Sequence, residues 1–211
     1  MKVVAINGSP KKEGNTYHAI KLVAEQLEKQ NIEIEIIHIG NRVIRGCMGC
    51  GQCAKQKNEE CIYSNDDVNE CIHKMKIADG LILGSPVYFS GITGTMKSFL
   101  DRAFYVAGSN DSLFRHKVGV SVIADRRAGA VVAYSQLNNY INYAEMFVPS
   151  SNYWNVTFGT MPGEVLQDNE GVQTMRILGK NMAWLMKSID QSKKENDMPE
   201  RENKIRLNYI H

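Results

Sequence analysis

No apolar stretch in this 211-residue chain approaches the ~18 residues that a membrane span needs. A membrane partner is therefore not expected. Charge of one sign is also lacking: 25 Lys and Arg face 23 Asp and Glu, a formal net of +2. No dense Lys/Arg stripe breaks that balance, so nucleic acid is not expected either. Two phosphate signatures are missing. There is no GxGxxG and no Gly-Lys-Ser/Thr, which argues against a dinucleotide fingerprint and against ATP. Met1 runs directly into a strand-like stretch without an h-region or cleavage site, so no secretory signal is visible and the cytoplasm is expected. The histidines (His18, His38, His73, His116, His211) are scattered without ligand spacing and read as structural or exposed.

Cysteine is scarce too, five in all, but its distribution is uneven. Cys47, Cys50, Cys53 and Cys61 form a C-x2-C-x2-C-x7-C run. A buried structural Cys behaves as a small hydrophobe and needs no Cys neighbours. In a reducing compartment, clustered thiols favour metal or redox chemistry over disulfides. Three cysteines at two-residue gaps, in a loop with Gly46, Gly49 and Gly51, followed by a fourth, is iron–sulfur ligand spacing. Zinc on four thiolates and free thiols are the alternatives. Cys71 falls on the inward stripe of a predicted helix and reads as core.

Strand and helix patterns alternate. Strands are expected at 2–6, 32–39, 78–84, 118–124 and 146–149. Helices are expected at 15–30, from Asp66 or Asp67 to about 76, at 94–106, 130–145 and 170–189. That order predicts an α/β fold: a flavodoxin-like, doubly wound, five-stranded parallel sheet covered on both faces. The 39–65 segment reads as a cysteine-rich insertion after the second strand. Residues 1–190 read as one domain and 191–211 as a polar tail.

Three loops fall at one edge of such a sheet. The first strand ends in Asn7-Gly8-Ser9-Pro10-Lys11-Lys12-Glu13-Gly14-Asn15-Thr16 before a helix. A polar loop at a helix N-terminus is an anion site, and a monophosphate fits it better than a dinucleotide. The alternative is a capped helix start, with Asn15 or Thr16 as cap. The third strand ends in Gly84-Ser85-Pro86-Val87-Tyr88-Phe89-Ser90-Gly91, a rigid turn with two aromatics that can hold a flat ring or fold back on the core. The fourth ends in Asp125-Arg126-Arg127-Ala128-Gly129, whose arginines can meet a ligand or solvent.

The stretches NGSPKKEGNT (7–16), GSPVYFSGITGTMKSFLDR (84–102) and RRAGA (126–130) resemble the NAD(P)H-dependent FMN reductase group of the flavodoxin-like superfamily. The GCMGCGQC run with Cys61 resembles that group's iron–sulfur flavoprotein branch. The resemblance spans roughly residues 1–190. It implies an FMN phosphate on Ser9, Lys11, Gly14, Asn15 and Thr16. The isoalloxazine would lie by Ser85, Pro86, Val87, Tyr88, Phe89 and Gly91, and by Arg127 and Gly129. A [4Fe–4S] cluster would sit on Cys47, Cys50, Cys53 and Cys61. Homodimers or dimers of dimers are implied, with Tyr153 and Trp154 reaching a neighbour's flavin.

The expected function is a flavin-dependent oxidoreductase passing electrons between a donor (ferredoxin or NAD(P)H) and an acceptor through FMN and the cluster. No side-chain acid or base is required, so no catalytic residue is expected beyond cofactor contacts. The rivals are an NAD(P)H-dependent FMN or quinone reductase without a cluster, and a non-enzymatic flavin-binding redox sensor.

Overall fold

The computed structural model describes residues 1–202, 204, 205 and 207. His211 and the end of the expected tail lie outside the described residues. Five strands form one parallel sheet: β1 (Lys2–Asn7), β2 (Glu33–His38), β3 (Gly80–Pro86), β4 (Val118–Asp125) and β5 (Val156–Phe158), in the order β2-β1-β3-β4-β5. The helices between them are α1 (Asn15–Glu28), α2 (Gln52–Gln56), α3 (Val68–Ile77), α4 (Gly94–Ser109) and α5 (Ala130–Tyr143), with α6 (Asn169–Glu195) closing the chain. This is the doubly wound arrangement expected from the alternation of patterns, with all strand pairs parallel.

The strand period of two sorts the core into two layers. Val3 and Ala5 face α1 and α6, where Ile20, Val23, Leu178 and Met182 are buried. Val4 and Ile6 face the opposite way, toward Ile72 of α3, Phe99 of α4 and Leu137 of α5. Each of these Val, Ile, Leu, Met and Phe side chains contributes roughly 1.5–3 kcal/mol by leaving water. With both faces covered, the sheet leaves only its strand ends for a ligand.

Several elements depart from expectation. The fifth strand is not at 146–149. Phe147 there makes a single parallel bridge to Val118, its N–H donating to the Lys117 carbonyl at 2.9 Å and its carbonyl accepting from Gly119 N–H at 2.9 Å. Pro149 lacks an N–H and cannot extend the ladder. The chain swings out and returns as β5 against Ile123–Asp125. The last helix, expected over 170–189, runs from Asn169 to Glu195. Asp168 caps it by accepting from Gly171 N–H at 3.0 Å. Its buried stripe ends at Met186, and exposed pairs such as Lys194–Asp190 at 3.2 Å support the last turns. Strand β3 also begins and ends two residues later than expected, which puts Ser85 and Pro86 inside the sheet rather than in the loop.

Candidate functional site: a cleft at the strand ends and a cavity of cysteines

A cleft of about 200 Å³ opens at the carboxyl ends of β1, β3 and β4. Ser9, Lys11, Gly14, Asn15 and Thr16 line one side; Pro86, Val87 and Tyr88 line another. These are eight of the thirteen expected flavin contacts.

The first loop is held in place before any ligand arrives. Asn7 Oδ1 accepts from Ser9 N–H at 3.0 Å, and Asn7 Nδ2 donates to the Lys12 carbonyl at 3.0 Å. Ser9 Oγ accepts from Lys11 N–H at 3.2 Å. Nε2 of His38, on β2, lies 2.7 Å from the Ser9 carbonyl oxygen. Gly40 packs so closely that a Cβ there would meet that same oxygen at 1.9 Å. The capped-helix alternative is not what forms. Gly14 occupies the N-cap position of α1 with no side-chain cap. The Asn15 carboxamide instead accepts from Gly163 N–H at 2.8 Å. The Thr16 hydroxyl is buried without a partner. The first α-helical bond runs from His18 N–H to the Gly14 carbonyl at 3.2 Å, leaving the N–H groups of the first turn to face the cleft. Uncapped N–H groups, a helix dipole and an unsatisfied hydroxyl make a cradle suited to a phosphate.

The remaining five expected contacts do not line the cleft. Ser85 is fully buried, donating to the Pro86 carbonyl at 2.8 Å and accepting from Thr93 N–H at 3.1 Å. Tyr88 and Gly91 exchange two backbone bonds, of 2.8 and 2.9 Å. Phe89 and Ser90 between them both have positive φ, 49° and 60°. This tight turn throws the Phe89 ring fully into solvent. Gly129, with φ 98°, packs under the turn, where a Cβ would lie 2.8 Å from Ser90 Cα. Arg127 is exposed, and its neighbour Arg126 takes a place in the cleft wall.

Sequence reasoning missed two contributors. Gly159, Thr160 and Pro162, after β5, form the far wall. Their signal was the turn-rich run Gly159-Thr160-Met161-Pro162-Gly163, hidden by the misplaced fifth strand. Asp125 is the other. It is 5% exposed, and one carboxylate oxygen accepts from Arg127 N–H at 3.2 Å while the other has no partner. A buried acceptor at the cleft wall calls for a donor on the ligand.

The four clustered cysteines lie on the segment joining β2 to α3. All four line a single small cavity of about 20 Å³, closed on one side by Arg102, Tyr105 and Val106 of α4. Gly49 and Gly51, at φ 62° and 69°, supply the left-handed turns that wrap the chain around it. Cys53, on α2, is buried, and that burial pushes its thiol pKa up; Cys47 and Cys50 are exposed. Gly49 N–H approaches Cys47 Sγ at 3.5 Å, and Arg102 Nε donates to Cys61 Sγ at 3.3 Å. Among the described residues, no three His, Cys, Asp or Glu side chains converge closely enough for a single metal ion. Cys71 is elsewhere, buried in the core as expected, its thiol pushed up to about 11 by burial.

The topology and the cleft define a flavodoxin-like protein. The solved structure of RosB with a bound flavin-phosphate intermediate superposes with a TM-score of 0.69 at 16% identity, covering 100% of this chain and 92% of that one. A WrbA-like flavodoxin from Agrobacterium tumefaciens gives a TM-score of 0.60 at 15% identity, over 89% of this chain and 97% of that one. Sequence narrows the class. The NADPH-dependent FMN reductase family matches residues 1–160. An iron–sulfur flavoprotein of Methanocaldococcus jannaschii is 36% identical over 196 residues, 90% of this chain and 99% of that protein. Another, from Archaeoglobus fulgidus, is 35% identical over 179 residues, 83% of this chain and 86% of that protein. The chain belongs to the NADPH-dependent FMN reductase family, in its iron–sulfur flavoprotein branch, and is a flavin-dependent oxidoreductase. No described helix is long and apolar enough to cross a membrane.

Proposed function

We propose that this protein passes electrons between a donor, ferredoxin or NAD(P)H, and an acceptor, using FMN in the strand-end cleft and a [4Fe–4S] cluster on Cys47, Cys50, Cys53 and Cys61. The observation that carries the reading is that all four thiols line one cavity. A zinc ion needs four sulfurs about 2.3 Å from one point. Three cysteines at two-residue gaps with a fourth beyond, all on one cavity, have the spacing of cluster ligands instead. When bound, FMN supplies paired or single electron exchange, and a cluster supplies single electrons.

The chain's own residues bind and orient. The first turn of α1, with the Ser9 and Thr16 hydroxyls and Lys11, holds the phosphate. Pro86, Val87 and Tyr88 form the wall for the ring, with Ser85, Gly91 and Gly129 shaping the turn beneath. Phe89 and Arg127 stand outside, at the rim. Asp125 accepts from a ligand hydroxyl or imide N–H. The 39–65 segment is an insertion into a flavodoxin-like domain that carries the second redox centre. Tyr153 and Trp154, both about half exposed, provide a surface for a second subunit in a homodimer or dimer of dimers.

The test is an absorbance spectrum with iron and sulfide assays on protein purified without oxygen. Flavin bands with about four irons per chain are expected. Flavin without iron would replace this reading with a plain NAD(P)H-dependent reductase. Absence of flavin under every condition would remove both.

A further inference from the structure

Among the described residues, Arg102 heads the fully buried side chains in size. It projects from α4, the helix that begins just beyond the flavin-side loop, yet its polar contacts all fall on the cysteine segment. Nη2 donates to the Tyr63 carbonyl at 2.7 Å and to Asp66 Oδ1 at 3.1 Å. Nη1 donates to Asp66 Oδ2, and to the Arg45 carbonyl at 3.4 Å. Nε is left for Cys61 Sγ, at 3.3 Å. The planar fork of a guanidinium makes this division possible; an ammonium has no such fixed geometry.

We propose that Arg102 is a positioning residue with an electronic role: it fixes the Cys61 side of the cavity and raises the reduction potential of the cluster held there. The inference rests on the cluster reading above. Asp66 balances the guanidinium charge from the side away from the sulfur. The pair therefore presents its positive edge to Cys61. Reduction adds one negative charge to the cluster and its ligand sulfurs. A buried cationic N–H donor at one of those sulfurs favours the reduced state, because low surrounding dielectric strengthens the contact.

Removing Arg102 alone would strand a buried carboxylate. The test therefore uses the Arg102→Gln/Asp66→Asn double variant, which removes both charges, alongside Arg102→Lys. Each is purified without oxygen, its iron and flavin are counted, and both centres are titrated by spectroelectrochemistry with low-temperature electron paramagnetic resonance. The double variant is expected to keep its iron while its reduced-to-oxidised ratio at a fixed potential falls about tenfold, which is ~59 mV for a one-electron couple. The flavin potential should not move, and Arg102→Lys should fall between. Full iron at an unchanged cluster potential in the double variant would overturn the proposal. So would loss of iron from both variants with the residual clusters titrating as wild type, the result of a purely mechanical clamp. A wild-type protein without iron would overturn the cluster reading and this inference with it, a failure visible before any variant is made.

Discussion

In the strand-end cleft, the groups proposed to hold a phosphate are chiefly backbone N–H donors, delivered where β1 stops and α1 starts. In the cysteine cavity the proposed ligands are side chains, carried on a connecting segment with only one five-residue helix. The cleft is set by the topology of the sheet, and its loop is fixed by Asn7, His38 and Gly40. The cavity is braced by cross-links, among them those from Arg102 on α4 to Asp66, Tyr63 and Cys61, while Asn110 donates to the Cys53 carbonyl and accepts from Glu59 N–H. On the proposed reading, the fold supplies much of the anion site from its backbone, whereas the thiol site is attached and then braced.

The sharpest way to break the comparison is Cys50→Ser. The exposed thiol bears no packing load, so the protein should fold and keep about one flavin per chain while losing nearly all its iron, measured on the same sample. Loss of both would show the two sites to be one unit. Gly40→Ala attacks the other side. Its Cβ would collide with the Ser9 carbonyl, and the neighbour is backbone. A penalty of about 3 kcal/mol is expected in FMN affinity or in stability, read by isothermal titration with FMN and by thermal melts, with iron retained.

Cys71 tests whether the fifth cysteine belongs to the core rather than to the cavity. Its thiol holds its proton up to about pH 11 when folded, against an ordinary 9.0. Between those values the folded state binds the extra proton, so stability is lost as pH rises from about 9 toward 11. The expected loss is about 2–3 kcal/mol, at roughly 1.4 kcal/mol per unit. Urea titrations at pH 8 and pH 11 should show a smaller fall for Cys71→Ala than for wild type, with iron content unaffected. The smallest effect belongs to Thr16→Val. An unpartnered buried hydroxyl gives the flavin-free protein nothing, so its melting temperature should hold or rise slightly. FMN should bind about tenfold more weakly, the lower end for a lost bond to a charged group.

The sequence made the sheet legible because buried parallel strands are short apolar runs separated by helical periodicity, as in KVVAI and LILG. It made the two candidate regions stand out through their punctuation: Gly and Ser after β1, Gly and Cys after β2. It failed where a partner distant in sequence decided the outcome. Asn15 looked like a cap, but its carboxamide serves Gly163, 148 residues away. Met146–Pro149 had the apolar content of a strand, while the longer ladder formed at Val156–Phe158. Asp66 and Asp67 read as helix caps; Asp66 does accept from Val68 N–H at 3.3 Å, but its main partner is Arg102, and Asp67 pairs with Arg42. Arg102 itself was hidden inside a resemblance. The signal was available: it lies on the same stripe of α4 as Phe99 and Ala103, both buried. A cation on an apolar stripe asks for an acidic partner.

The interrupted outer strand has a consequence for the protein's life in a crowded solution. An open sheet exposes two edges, each a template for a foreign strand. Here one edge is broken into the Phe147 bridge and three residues of β5, separated by an excursion that no straight strand can follow. The other, β2, carries Glu33 and Glu35, paired with Lys2, and Glu35 also with Lys74. One margin resists aggregation by being discontinuous and the other by being charged, so the molecule can keep an open, fully parallel sheet without recruiting its neighbours into it.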